Sequence, residues 1–189
     1  MTNLVSEHIS SLTIDTRIRI VEMIRIADEH FGVKIHPYCG LRTCEEQAKT
    51  FRATRTKREV QAKAQSYKDK GFPILAQVLL GVGPQGGELG KHKTKAGPGE
   101  SWHQYGQAED CVPIVNGRAI WDDKDPEDAR MWAIYGHACE YVGLTWSGRW
   151  TSFKETAHCQ LSQHSNPLNA FREEKLLVEA LRKVGSLLP

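Results

Sequence analysis

SWHQYGQAEDC, residues 101 to 111, places a histidine and an aspartate seven positions apart, with Gly106 between them and Trp102 beside the histidine. Two readings compete. His103 and Asp110 are two legs of a metal site, or they are ordinary polar residues on a turn and a strand. The continuation favours a strand in either case. EDCVPIVNGRAIWD holds two short apolar segments around Asn116-Gly117, and Asn-Gly is the strongest short hairpin signal because both residues tolerate positive φ. The stretch therefore feeds an antiparallel pair.

Helices surround it. In TIDTRIRIVEMIRIADEHFG, residues 13 to 32, Ile14, Ile18, Val21, Ile24 and Phe31 recur near helical period, which predicts that they form the buried stripe, with Gly32 as the stop. VKIHPY reads as a short strand. Thr43 with Glu46 three residues on makes a capping box for a helix carrying Gln47, Ala48 and Phe51. TRTKREVQAKAQSYKDKG is polar and helix-favouring, FPILAQVLLGV is an apolar run, and GPQGGELGKHKTKAGPG is a lysine-dense glycine loop without the G-x-x-x-x-G-K-[ST] phosphate pattern, so it reads as surface. Asp125 caps a helix with Pro126 at its first position, Met131, Trp132, Tyr135, Ala138, Cys139 and Val142 on or beside the apolar stripe, and Gly143 at its end. LTWS and AHCQL read as short strands, and Asn166-Pro167 starts a terminal helix running to about residue 185. The fold class is α+β, a small antiparallel sheet flanked by helices.

At 189 residues the chain is the size of one domain. A formal net charge of +2 is small for a nucleic-acid binder, and the apolar runs are too short to insert in a membrane. The first 20 residues lack a signal peptide's basic and apolar regions, so synthesis in the cytoplasm is expected. Five cysteines without paired spacing (Cys39, Cys44, Cys111, Cys139, Cys159) read as reduced thiols, mostly small core residues.

SFKETAHCQ supplies a second cluster, Glu155 and His158. A catalytic zinc takes three protein ligands of imidazole and carboxylate type and keeps a fourth position for water. His103, Asp110 and His158 are such a set, leaving Glu155 as a spare carboxylate for proton transfer. Adjacent side chains on a strand point to opposite faces, so Cys111 and Cys159 should face away from the metal. Each half alone arises commonly by chance; the combination is far more specific.

SWHQYGQAED resembles the S-x-H-x-x-G-x-A-x-D motif, and ETAH the (E/D)-x-x-H motif, of the zinc peptidases that include VanY-type D-alanyl-D-alanine carboxypeptidases and phage L-alanyl-D-glutamate endolysins. YCGLRTCEEQ is similar to the family's G-x-R-[ST]-x-x-x-Q segment, and GLTWSGRWTSFKE to its approach to the last motif. The resemblance runs over roughly residues 14 to 161 and implies a hedgehog/DD-peptidase-like fold. It also implies one zinc ion at His103, Asp110 and His158, Glu155 as base, and Arg42 for substrate binding and oxyanion stabilisation, with Ser101, Gln47 and Trp150 in support. The chain departs from the pattern at Ala157 and Cys159, where relatives often carry proline and an aromatic residue, at Arg149, often aspartate, and in an insertion at about 57 to 95.

The expected whole is a single zinc peptidase domain over residues 1 to 189, with a C-terminal helix at about 166 to 185. The function implied is an endolysin-type L-alanyl-D-glutamate endopeptidase, a monomer cleaving the peptidoglycan stem peptide by metal-activated water and reaching the wall after release in phage or prophage lysis. A D,D- or L,D-carboxypeptidase of the same family is the alternative, and a non-catalytic zinc-binding module the alternative from another class.

Overall fold

A computed structural model describes residues 7 to 82 and 94 to 187; residues 83 to 93 of the lysine-dense loop, including His92, lie outside the described residues. In chain order the helices are α1 (Glu7–Ser10), α2 (Ile14–Phe31), α3 (Cys44–Arg52), α4 (Lys57–Asp69), α5 (Pro73–Gly81), α6 (Pro126–Tyr141) and α7 (Glu174–Lys183). The strands are β1 (Lys34–Cys39), β2 (Ala108–Val115), β3 (Arg118–Ala119), β4 (Thr145–Trp146) and β5 (His158–Gln160). The architecture is α+β. Among the described residues no helix is long and apolar enough to cross a membrane. The chain divides into two compact units, Met1–Leu41 with Gly106–Gln163 and Arg42–Tyr105 with His164–Pro189.

The first unit holds the whole sheet, ordered β1-β2-β5-β4 with β3 paired to β2, all antiparallel. The β2–β3 hairpin turns on Asn116 and Gly117 at φ 51° and 76°, the two positive values that a two-residue turn with the right twist requires. Gly106 sits at φ 62°, and its carbonyl accepts from the Thr13 N–H at 2.9 Å. A Cβ there would stand 3.2 Å from that nitrogen, so conformation and close approach both account for the glycine.

Helices α2 and α6 supply the core beneath the sheet, but of the stripe its periodicity predicts α2 buries only Ile24, and the rest of its buried face is made by other residues. Ile14, Ile18 and Phe31 are 66%, 61% and 52% exposed, whereas Thr16, Ile20, Met23, Ile24, Ile26 and Ala27 are buried. Isoleucines dot both faces, and the side chosen is the one whose Met23 and Ala27 join Ile9, Leu12 and Ile35 in the core. Trp146 is clamped between two glycines of this unit: a Cβ at Gly136 or Gly148 would fall 2.2 or 2.1 Å from its ring.

The second unit is helical. The capping box of α3 forms as expected, and α4 has one of its own, Thr56 with Glu59. Helix α5 carries no capping side chain of its own and borrows partners. The Glu174 carboxylate accepts from the Ile74 N–H at 2.7 Å, and Arg52 donates to the carbonyls of Leu79, Leu80 and Val82 at the other end, each matching the sign of the nearby helix dipole. The terminal helix begins later than residue 166. Pro167–Asn169 is one 3-10 turn, the chain then leaves the helical path so that Phe171 stacks on Tyr105 at 5.3 Å, and α7 starts at Glu174.

Candidate metal and catalytic site

Three strands of the first unit bring side chains into one row. Asp110 on β2 pairs with His158 on β5 on one side and with Cys39 on β1 on the other, and directly opposed residues share a face. His158 Nδ1 lies 3.2 Å from Asp110 Oδ1, and its Nε2 lies 3.0 Å from Gln160 Oε1. The Gln160 amide nitrogen donates to the Ser162 carbonyl at 2.7 Å, which orients the amide oxygen toward the ring. Both ring nitrogens thus face acceptors. Burial pulls the His158 pKa down, but the hydrogen bond and charge of Asp110, helped by Gln160, outweigh it and raise the value to about 9.

Without a metal, the imidazolium donates to both oxygens. Were a divalent cation held there, Nε2–H would donate to Gln160 and fix the tautomer, leaving Nδ1 and the Asp110 carboxylate as the donors that would hold it. The donor set fits a zinc-type ion. Cys111 and Cys159 are fully buried in the core, on the opposite face from Asp110 and His158, as strand alternation requires.

Glu155 is exposed at the end of the 151 to 155 segment, and the turn from it to His158 is tied to the core at every carbonyl. The buried Ser147 hydroxyl lies between the carbonyls of Glu155 and His158 and shares its one proton between them. The Trp146 indole donates to Thr156 at 2.7 Å and the Tyr135 hydroxyl to Ala157 at 2.8 Å. Each such buried bond contributes about 1 kcal/mol, and together they fix the spacing of carboxylate and imidazole. Trp150 stands 6.0 Å from the His158 ring, centroid to centroid.

The remaining residues named from the sequence belong to the second unit. His103 is buried on a 3-10 turn, Trp102–Tyr105, and its carbonyl accepts from the Arg42 N–H at 3.2 Å. The Arg42 guanidinium donates to Gln47 Oε1 at 2.9 Å. Gln47 is fully buried, and its amide nitrogen donates to Ala96 O at 2.7 Å. Ser101, half-buried, precedes the turn.

Sequence reasoning passed over three participants. Gln160 has a local signal, since two residues beyond His158 on a strand is the same face. Ser147 and Tyr135 have none, because only the packed core brings them to the turn. Glu109 is a further surprise. It is fully buried, and burial above all, with Cys159 and Asp110 adding and a backbone hydrogen bond from Cys39 opposing, raises its pKa to about 8.

Residues 94–161 match the family model described as D-alanyl-D-alanine carboxypeptidase. The matched segment holds both the His103–Asp110 and the Glu155–His158 motifs. No curated protein matches the chain. Among solved structures, the Serratia marcescens L-Ala D-Glu endopeptidase ChiX is similar at a TM-score of 0.44 and 19% identity, over 86% of this chain and 89% of that one.

Proposed function

We propose, from the peptidase-family segment at 94–161, that the chain is a zinc-dependent peptidoglycan peptidase that hydrolyses the stem peptide, with His103, Asp110 and His158 as the residues that hold the ion. The carrying observation is the His158 ring, whose Nδ1 is 3.2 Å from Asp110 Oδ1 while Gln160 occupies its other nitrogen. A bound zinc ion supplies Lewis acidity, lowering the pKa of water and polarising a carbonyl. Glu155 accepts the proton of the attacking water and returns it to the leaving amine. Arg42, steadied by Gln47, meets the negative charge that develops on the carbonyl oxygen, as a permanently charged guanidinium can. Trp150 lines the approach beside His158, and Ser101 supports the first ligand.

The bond cleaved in this reading is L-alanyl-D-glutamate, as in endolysins, with the protein acting as a monomer on the wall after release in lysis. The match to the D-alanyl-D-alanine carboxypeptidase family model favours a second reading, removal of a terminal D-alanine. Peptidoglycan hydrolysis that a chelator abolishes and added zinc restores is the expected behaviour; hydrolysis indifferent to chelator sinks the metal mechanism.

Gln160 tests the tautomer argument. Gln160→Leu removes the acceptor that holds Nε2–H, so zinc affinity should fall by about 10- to 100-fold in a competition titration with a chromophoric chelator. An unchanged affinity would mean that His158 is oriented by something else.

A further inference from the structure

Cys39 reads from the sequence as a small core residue, yet it alone of the five cysteines is not buried. Its position results from an irregularity. The β1–β2 ladder runs Lys34↔Ile114, Ile35↔Pro113, His36↔Val112 and Pro37↔Cys111, and a regular continuation would set Tyr38 opposite Asp110 and Cys39 opposite Glu109. Instead the register shifts between Pro37 and Cys39, and Cys39 pairs with Asp110. Such a bulge re-aims a side chain to the other face. It places the Cys39 sulfur within 4.8 Å of an Asp110 carboxylate oxygen, in a row of S, O and N donors across β1, β2 and β5.

We propose that the Cys39 thiolate is a further protein ligand of the zinc ion in the resting protein. This rests on the zinc site proposed above and deepens it. Thiolate sulfur is a preferred zinc donor, and a fourth protein ligand turns an open catalytic set into a closed one. With the sulfur bound, the site would be masked at rest, and the attacking water and substrate would have to displace the sulfur or expand the coordination. On binding, the Cys39 S–H bond breaks, its proton passes to solvent, and a sulfur–metal bond forms, with no change in oxidation state.

Cobalt(II) is the probe, because sulfur bound to it gives a near-ultraviolet charge-transfer band that nitrogen and oxygen donors do not. The full chain loaded with one equivalent of cobalt should show that band. Cys39→Ala and Cys39→Ser should lose it while keeping the visible absorption of bound cobalt. One cobalt bound without the band, or a band that survives in Cys39→Ala, overturns the inference and leaves the nitrogen-oxygen site standing. A chain that takes up no cobalt defeats the metal reading itself and this inference with it. Should circular dichroism show that the variants are unfolded, alkylation of the unaltered protein decides. Zinc should slow iodoacetamide labelling of the Cys39 peptide by about tenfold or more, since a coordinated thiolate is not a free nucleophile; equal rates with and without zinc overturn it.

Discussion

Glu155→Ala is expected to lower kcat on peptidoglycan by about 10²- to 10⁴-fold, the range attributable to a positioned general base, while zinc content and thermal unfolding stay unchanged. The residue is exposed, so its truncation leaves no cavity in the core. The Ser147, Trp146 and Tyr135 bonds to the turn are made to backbone carbonyls and survive the truncation. His103→Ala should behave differently and lose the metal. If Glu155→Ala kept full activity, another group would be the base and the proton-transfer assignment would fail.

The largest stability effect is expected at Glu109. Its folded pKa of about 8 lies above the ordinary carboxylate value of 4.5, so the folded state holds a proton that the unfolded chain releases. Its contribution is fully present below the unfolded value and is lost as pH rises toward 8. Up to pH 7 the loss is on the order of 3 kcal/mol. His158, raised to about 9 from 6.5, adds a loss of the same sign in the metal-free protein between those two values. Comparing the protein with Glu109→Gln isolates the carboxyl, since glutamine does not titrate. Urea unfolding of the metal-free proteins at pH 5 and pH 7.5 should show the unaltered chain losing stability and Glu109→Gln losing much less. Parallel losses would mean that Glu109 finds a partner in solution or is not buried.

Where a signal was local, the sequence carried it. Asn116-Gly117, the Thr43–Glu46 box and the Asp125-Pro126 start are complete within a few residues, and each forms the expected turn or cap. The candidate ligands were named on local signals too, because each motif keeps its polar residues within one short segment, and the zinc and Glu155→Ala measurements are what test them. What the sequence did not disclose depends on pairing between distant segments. The inward face of α2 is chosen by what Ile20, Met23 and Ala27 meet, and both faces carry isoleucine. The bulge that moves Cys39 opposite Asp110 is a property of two strands about seventy residues apart. Glu109 next to Asp110 looks like a second surface acid, and only the sheet's burial on that side makes it a protonated core group.

The most direct test of the central claim is mass spectrometry of the fragments released from purified peptidoglycan by the zinc-loaded chain, with a chelated sample and Glu155→Ala alongside. Stem-peptide fragments with a new N-terminal D-glutamate, absent from both controls, are the result predicted. Release of terminal D-alanine alone would transfer the chain to the carboxypeptidase reading. No metal-dependent product from several wall chemotypes, with one zinc bound per chain, would contradict the assignment of a peptidase and leave a zinc-binding module.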